Sequence, residues 1–127
     1  MPPFEIRVDD TRRIVVARAL GTIDEKLALG MVAQAREQAV KCGFNILYDM
    51  REARPGDMSS GALFWMPRQL QVLKGAGAKR VRVALLHPPE YGAMASYWED
   101  AFGNAGLRVK AFAADEPGAV AWLTALG

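Results

Sequence analysis

Apolar and polar residues alternate at period two over Phe4-Glu5-Ile6-Arg7-Val8, the mark of a strand with one face in water. Asp9-Asp10-Thr11-Arg12 supplies turn chemistry, because Asp carboxylates bond to nearby backbone N–H groups. Arg13 to Leu20 is β-branched and more continuously apolar, as a more buried strand requires, and the two stretches are expected to pair as an antiparallel hairpin. Thr22-Ile23-Asp24-Glu25 has capping-box spacing, with Thr22 as the cap and Glu25 answering it three residues on. Leu27, Met31, Ala35 and Ala39 then recur at four-residue steps, flanked by Ala28 and Val32, and predict a helix that Gly43 ends in a left-handed conformation. Phe44 to Asp49 reads as a short buried strand, followed by a loop from Met50 to Asp57.

A further helix is expected from about Ser59, carrying Leu63, Phe64, Met66, Leu70 and Leu73. Pro67 interrupts it, because a proline inside a helix removes a hydrogen bond and costs about 3 kcal/mol, so a kink or two short helices are expected. Arg80 to His87 is a buried strand stopped by Pro88-Pro89, with Pro89 placed to open the next helix. Tyr91, Met94, Ala95, Trp98, Ala101, Phe102 and Ala105 form a helical stripe, ended by Gly106. Leu107 to Phe112 alternates again. Asp115 caps a closing helix with Pro117 in its first turn and Val120, Leu123 and Leu126 facing inward, with Trp122 beside them. The order is ββαβαβαβα. Right-handed crossovers make the last four strands mostly parallel, so the fold class is α/β: one domain over residues 1–127, a five-stranded sheet with an antiparallel N-terminal strand, and helices covering it.

Composition supports that reading and removes several functions. The chain is 51% hydrophobic and 24% charged, in the range of an ordinary globular domain. A net charge of +2 is too small for a dedicated nucleic-acid binder. Apolar runs such as Ile14 to Ala17 fall far below the roughly 20 residues of a membrane span, so no stable membrane insertion is expected. No basic and apolar leader opens the chain, and with one cysteine, Cys42, an internal disulfide is excluded; a soluble protein of a reducing compartment, the cytoplasm, is expected. The one histidine, His87, and scattered carboxylates have no metal-ligand spacing, and Gly75-Ala76-Gly77-Ala78 lacks the Gly-Lys-Ser/Thr ending of a phosphate loop. No cofactor is expected.

The element order, together with Tyr48-Asp49-Met50-Arg51 closing a strand, Val81 to Leu86, Glu90-Tyr91-Gly92 opening a helix, and Val109 to Phe112 leading to Ala121-Trp122-Leu123, resembles the STAS fold. More closely it resembles the SpoIIAA-like group of small bacterial proteins, also described as STAS/SEC14-type. The resemblance spans nearly the whole chain and implies a non-catalytic regulatory domain that binds a protein partner, a nucleotide or a lipid-like ligand. Asp57-Met58-Ser59-Ser60-Gly61-Ala62-Leu63 resembles the family's phosphorylation segment, with Ser60 at the acceptor position; Met58 intrudes between the acid and the serines. A helix start favours an added phosphate by about 0.3–1 kcal/mol. The ordinary alternative is that Ser59 simply caps the helix.

Three further groups of residues carry candidate chemistry. Asp49 and His87 end two parallel strands and Ser60 starts the helix after one of them, so a minor serine hydrolase using Ser60 and His87 is one reading. No Gly-x-Ser-x-Gly elbow supports it. Arg80 and Arg82 are either an anion-facing pair or solvated edge charges. Tyr48, Met50, Met58, Phe64, Trp65, Met66, Tyr91, Met94, Tyr97 and Trp98 form a Met-rich aromatic set, suited either to filling a core or to lining an apolar mouth. Phe64 and Trp65 project about 100° apart on a helix, so one of them faces a groove, a partner or a second subunit, and a homodimer is compatible with that surplus. The expected function is a non-catalytic binding or regulatory module that recognises a protein partner through the second helix and the loop before it. Its partner surface is Asp49, Met50, Met58, Leu63, Phe64, Trp65, His87, Tyr91 and Met94, with Ser60 (or Ser59) as the charge switch. The alternative is a carrier or sensor of a small lipid-like apolar ligand.

Overall fold

The computed structural model describes residues 4–55, 81–104 and 108–125. β1 (Phe4–Asp9) and β2 (Ile14–Ala19) form the expected antiparallel hairpin, from Phe4 opposite Ala19 to Asp9 opposite Ile14. Asp9 builds the turn: its carboxylate accepts from the Arg12 backbone N–H at 3.0 Å and from Arg12 Nε at 2.7 Å. Arg13 belongs to that turn and not to the second strand, because its φ of 58° reverses the chain in a conformation that a strand residue does not adopt.

After β2 the chain makes a short strand that the sequence did not announce. β3 (Gly21–Ile23) leads into α1 (Glu25–Cys42), and after β4 (Asn45–Asp49) comes β5 (Ala53–Pro55), which pairs with β3 in parallel. This small two-stranded sheet takes Thr22 out of the helix start. Asp24 is the cap instead: it has extended backbone, and its carboxylate accepts from the Leu27 N–H at 2.8 Å. At the other end Gly43 adopts φ 73° and donates to the Ala39 carbonyl at 2.8 Å, the left-handed ending expected of it.

The remaining described elements are β6 (Arg82–His87), a 3-10 turn at Pro89–Tyr91, α2 (Gly92–Asn104), β7 (Arg108–Ala113) and α3 (Glu116–Thr124). The helix expected from Ser59, with Leu63, Phe64, Trp65 and Pro67, lies outside the described residues, as do Gly106 and Leu126. The main sheet runs β1-β2-β4-β6-β7, antiparallel only at its first pair. β4 is its middle strand.

Period-two alternation divides the core into two layers. Val15, Ala17, Ala19, Ile46, Tyr48 and Val83 face α1, whose Ala28, Met31, Val32, Ala35 and Ala39 are buried against them, and Trp98 of α2 packs on the same layer. Ile14, Val16, Leu47, Ala84 and Leu86 face the other way, under Ala119 and Leu123 of α3. Asn45 and Arg82 fasten the last turn of α3 to the amino ends of the strands. Asn45 Nδ2 donates to the Leu123 carbonyl at 2.7 Å, and Arg82 Nη1 donates to the carbonyls of Trp122 and Ala125 at 3.0 and 2.7 Å. Arg82 is thus a C-terminal helix anchor, which replaces both sequence readings of it. Among the described residues, no helix is long and apolar enough to cross a membrane.

The capping assignment has a direct check. In urea unfolding, Asp24→Ala is expected to lower stability by about 1 kcal/mol, whereas Thr22→Ala, at an exposed position in β3, should stay within about 0.5 kcal/mol of the parent. A larger loss for Thr22→Ala would return the cap to the position expected from the sequence.

Candidate functional site

The four parallel strands bring their carboxyl ends to one rim, and the β3–β5 ribbon extends it. Gly21, with φ 85°, turns the chain into the ribbon, and its N–H donates to the Glu52 carbonyl at 3.1 Å. An ion pair between Arg18 and Glu52 ties the two sides together. Asp49 and His87 both stand on this rim, since β4 ends at the first and β6 at the second. The segment with Met58, Ser59, Ser60, Leu63, Phe64 and Trp65 lies outside the described residues; Pro55 and Val81 flank it.

Alternation separates the two rim residues that sequence reasoning placed together. Asp49 shares parity with Leu47 and is registered against Leu86, so its side chain belongs to the α3 face. His87 shares parity with Val83 and Leu85, which belong to the α1 face. A carboxylate on one face of a sheet cannot orient an imidazole on the other, and each group has other partners.

The Asp49 carboxylate receives three bonds from Arg51: Nε to Oδ1 at 3.0 Å, Nη2 to Oδ2 at 2.8 Å, and the backbone N–H to Oδ1 at 3.2 Å. Arg51 Nη2 also reaches Glu116 Oε1 at 3.0 Å, so the end of β4 is fastened to the first turn of α3. A guanidinium fork held against a carboxylate in this way is among the stronger polar contacts in a protein. Burial acts to push the Asp49 carboxyl up, but the Arg51 side-chain and backbone bonds, with the charges of Arg51 and Arg18, outweigh it and hold the group below its ordinary value.

His87 is buried, with Nδ1 2.8 Å from the Pro88 carbonyl oxygen. A carbonyl only accepts, so Nδ1 carries the proton and the ring is oriented by its own chain neighbour. The His87 carbonyl in turn accepts from the Ala114 N–H at 2.8 Å, and the Leu86 carbonyl accepts from the Met50 N–H at 2.7 Å. The rim is knitted by backbone bonds that hold the strand ends in register.

The aromatic and Met-rich set is dispersed. Tyr48 is core, Met50 and Trp98 pack partly buried against the same layer, Tyr91 is half-buried in the 3-10 turn, and Tyr97 stands exposed on α2. Met94 is in α2, but its side chain lies outside what the structure describes. Sequence reasoning missed Arg36, which is 5% exposed in the apolar layer beneath α1. The available signal was its spacing, four residues after Val32 and next to Ala35 on the buried stripe.

The Asp49–Arg51 pair has a pH signature. A carboxyl held below its unfolded value stabilises the folded state above that unfolded value, and the contribution disappears as pH falls through the folded one. Asp49→Asn is expected to cost about 1–2 kcal/mol near neutrality, the scale of a charged hydrogen bond with one exposed partner. The gap from the parent should narrow as pH falls from about 5 into the range below the ordinary Asp value of 3.8. Urea titrations of both proteins across that range measure it, and a gap that stays constant would refute the pairing.

No protein-family model matches the chain, and no curated protein matches it. Among solved structures it is similar to an uncharacterised protein of the DUF3478 family from Shewanella loihica PV-4, described as having a SpoIIAA-like fold. The TM-score is 0.58 at 19% identity, over 94% of this chain and 91% of that one. The mainly parallel sheet with one antiparallel pair, carrying helices on both faces, agrees with it. The chain has a SpoIIAA-like fold.

Proposed function

We propose that the protein is a non-catalytic binding module that recognises a protein partner through the connection between Pro55 and Val81, with Ser60 as the charge switch. The observation that carries this reading is the division of the rim. Asp49 and His87 project to opposite faces, and Asp49 is taken up by Arg51 while His87 is oriented by Pro88. Such a rim works as a rigid mount for the connection that leaves it. That connection contains Phe64, Trp65 and Met66, residue types enriched at protein interfaces, beside Leu63. A phosphate on Ser60 would add about −1.5 to −2 charges beside them and oppose an apolar partner.

The test places a photo-crosslinking residue at Trp65, with the exposed Tyr97 on α2 as the control position, in cells of the native organism. Adducts of discrete mass are expected from position 65 and not from 97, weakened at least fivefold by Ser60→Asp and unchanged by Ser60→Ala. Equal labelling at both positions would sink partner recognition. Ester hydrolysis abolished by both Ser60→Ala and His87→Ala would put an enzyme in its place.

A further inference from the structure

We infer that Arg36 and Tyr48 form an internal oxyanion site between α1 and β4, which takes a carboxylate or phosphate group of a small ligand. Arg36 lies two-thirds of the way along α1 and is only 5% exposed. Its Nε and Nη1 are buried with no hydrogen-bond partner, and so is the Tyr48 hydroxyl, whose residue is 6% exposed. Tyr48 belongs to the layer that packs under α1, the helix that carries Arg36. Tyr48 points from the middle strand toward α1, and the Arg36 charge acts on its hydroxyl.

The topology directs both side chains toward the same end of the layer. α1 descends from the carboxyl-end rim to the amino end of β4, antiparallel to the strands. Long side chains on a helix lean toward its N-terminus, so Arg36 leans toward the rim, where Tyr48 is the penultimate residue of β4.

The chemistry is one-sided. A guanidinium stays charged at any pH the protein meets and offers only donors. Burial pushes the Tyr48 hydroxyl up, so it remains a neutral donor as well. A buried charge is normally paired, because leaving it unanswered in the interior is strongly unfavourable. Among the described residues no acid answers Arg36: Asp49 is bound by Arg51, Glu99 accepts from the Ala111 N–H at 2.6 Å, and Glu37 on α1 is exposed. Two guanidinium nitrogens and a phenol O–H without an acceptor match an oxyanion, which accepts in a fork. Ala28, Met31, Val32, Ile46 and Trp98 contribute to the same layer, so the surroundings of that anion are apolar. The partner-binding reading is independent of this site, since none of its residues takes part.

The experiment follows thermal unfolding in anion-poor buffer with acetate, inorganic phosphate or decanoate added. At about 100 times Kd, ligand linkage raises Tm by roughly 10 °C for a chain of this size. At least one probe is expected to do so in the parent and to lose the effect in Arg36→Met. Tyr48→Phe should fold and bind about tenfold more weakly, the value of one lost hydrogen bond. Without ligand, Arg36→Met should match or exceed the parent in Tm, because an apolar side chain replaces an unanswered charge. A response to decanoate alone assigns the anion to an acyl chain, and equal responses to acetate or phosphate assign it to a free small ion. The inference is overturned if no probe raises Tm, or if Arg36→Met responds as the parent does. It is also overturned if Arg36→Met and Asp57→Asn destabilise together non-additively, for then the acid in the Pro55–Val81 connection is the counter-charge.

Discussion

The middle strand sets the terms for everything else in this molecule. β4 is buried on both faces, so its five residues must alternate strictly between two cores, and a slip of one residue would exchange them. Ile46 and Tyr48 go to the α1 layer, and Leu47 goes with Asp49 to the α3 layer. Once that is fixed, parallel pairing with β2 and β6 fixes the parity of both neighbours. It is this parity, not the distance between strand ends, that keeps Asp49 and His87 apart.

Much of the fold was legible because the signals were local and redundant. Alternation in Phe4 to Val8, the β-branched run after Arg13, the Ala-rich stripe before Gly43 and the Asp115 cap with Pro117 each name an element by its own chemistry, and each is found. The misses have one physical cause, which is pairing across distance. Thr22 looked like a cap until Arg54 of β5 took it into a ribbon, and no periodicity in three residues can announce that. Arg82 looked like a surface charge until the last carbonyls of α3 arrived beside it from 40 residues away.

The candidate site was legible only as a location. Strand-end reasoning placed Asp49 and His87 on one rim correctly, but a list of residue types carries no facing. Their partners are a neighbour two residues on for Asp49 and the adjacent carbonyl for His87, contacts too local for their residue types to advertise. Arg36 was passed over for the opposite reason. An arginine on an amphipathic helix ordinarily extends its head to water while its stem covers apolar surface. Alanines at 28, 35 and 39 bring α1 close to the sheet, and little of the arginine's length then escapes the layer.

The two buried charges show what the sheet tolerates and where. Asp49 is at the edge of its layer, within reach of a guanidinium from the following turn, and so its desolvation is offset by bonds that also join β4 to α3. Arg36 is on a helix whose neighbouring positions along the buried stripe are alanine and valine, and the chain supplies no acceptor there among its described residues. A sequence selected for stability alone would fill that position with methionine or leucine, which pack into the same space without desolvating a charge. Retaining a permanent cation opposite a neutral phenol makes physical sense if something outside the chain completes the pair.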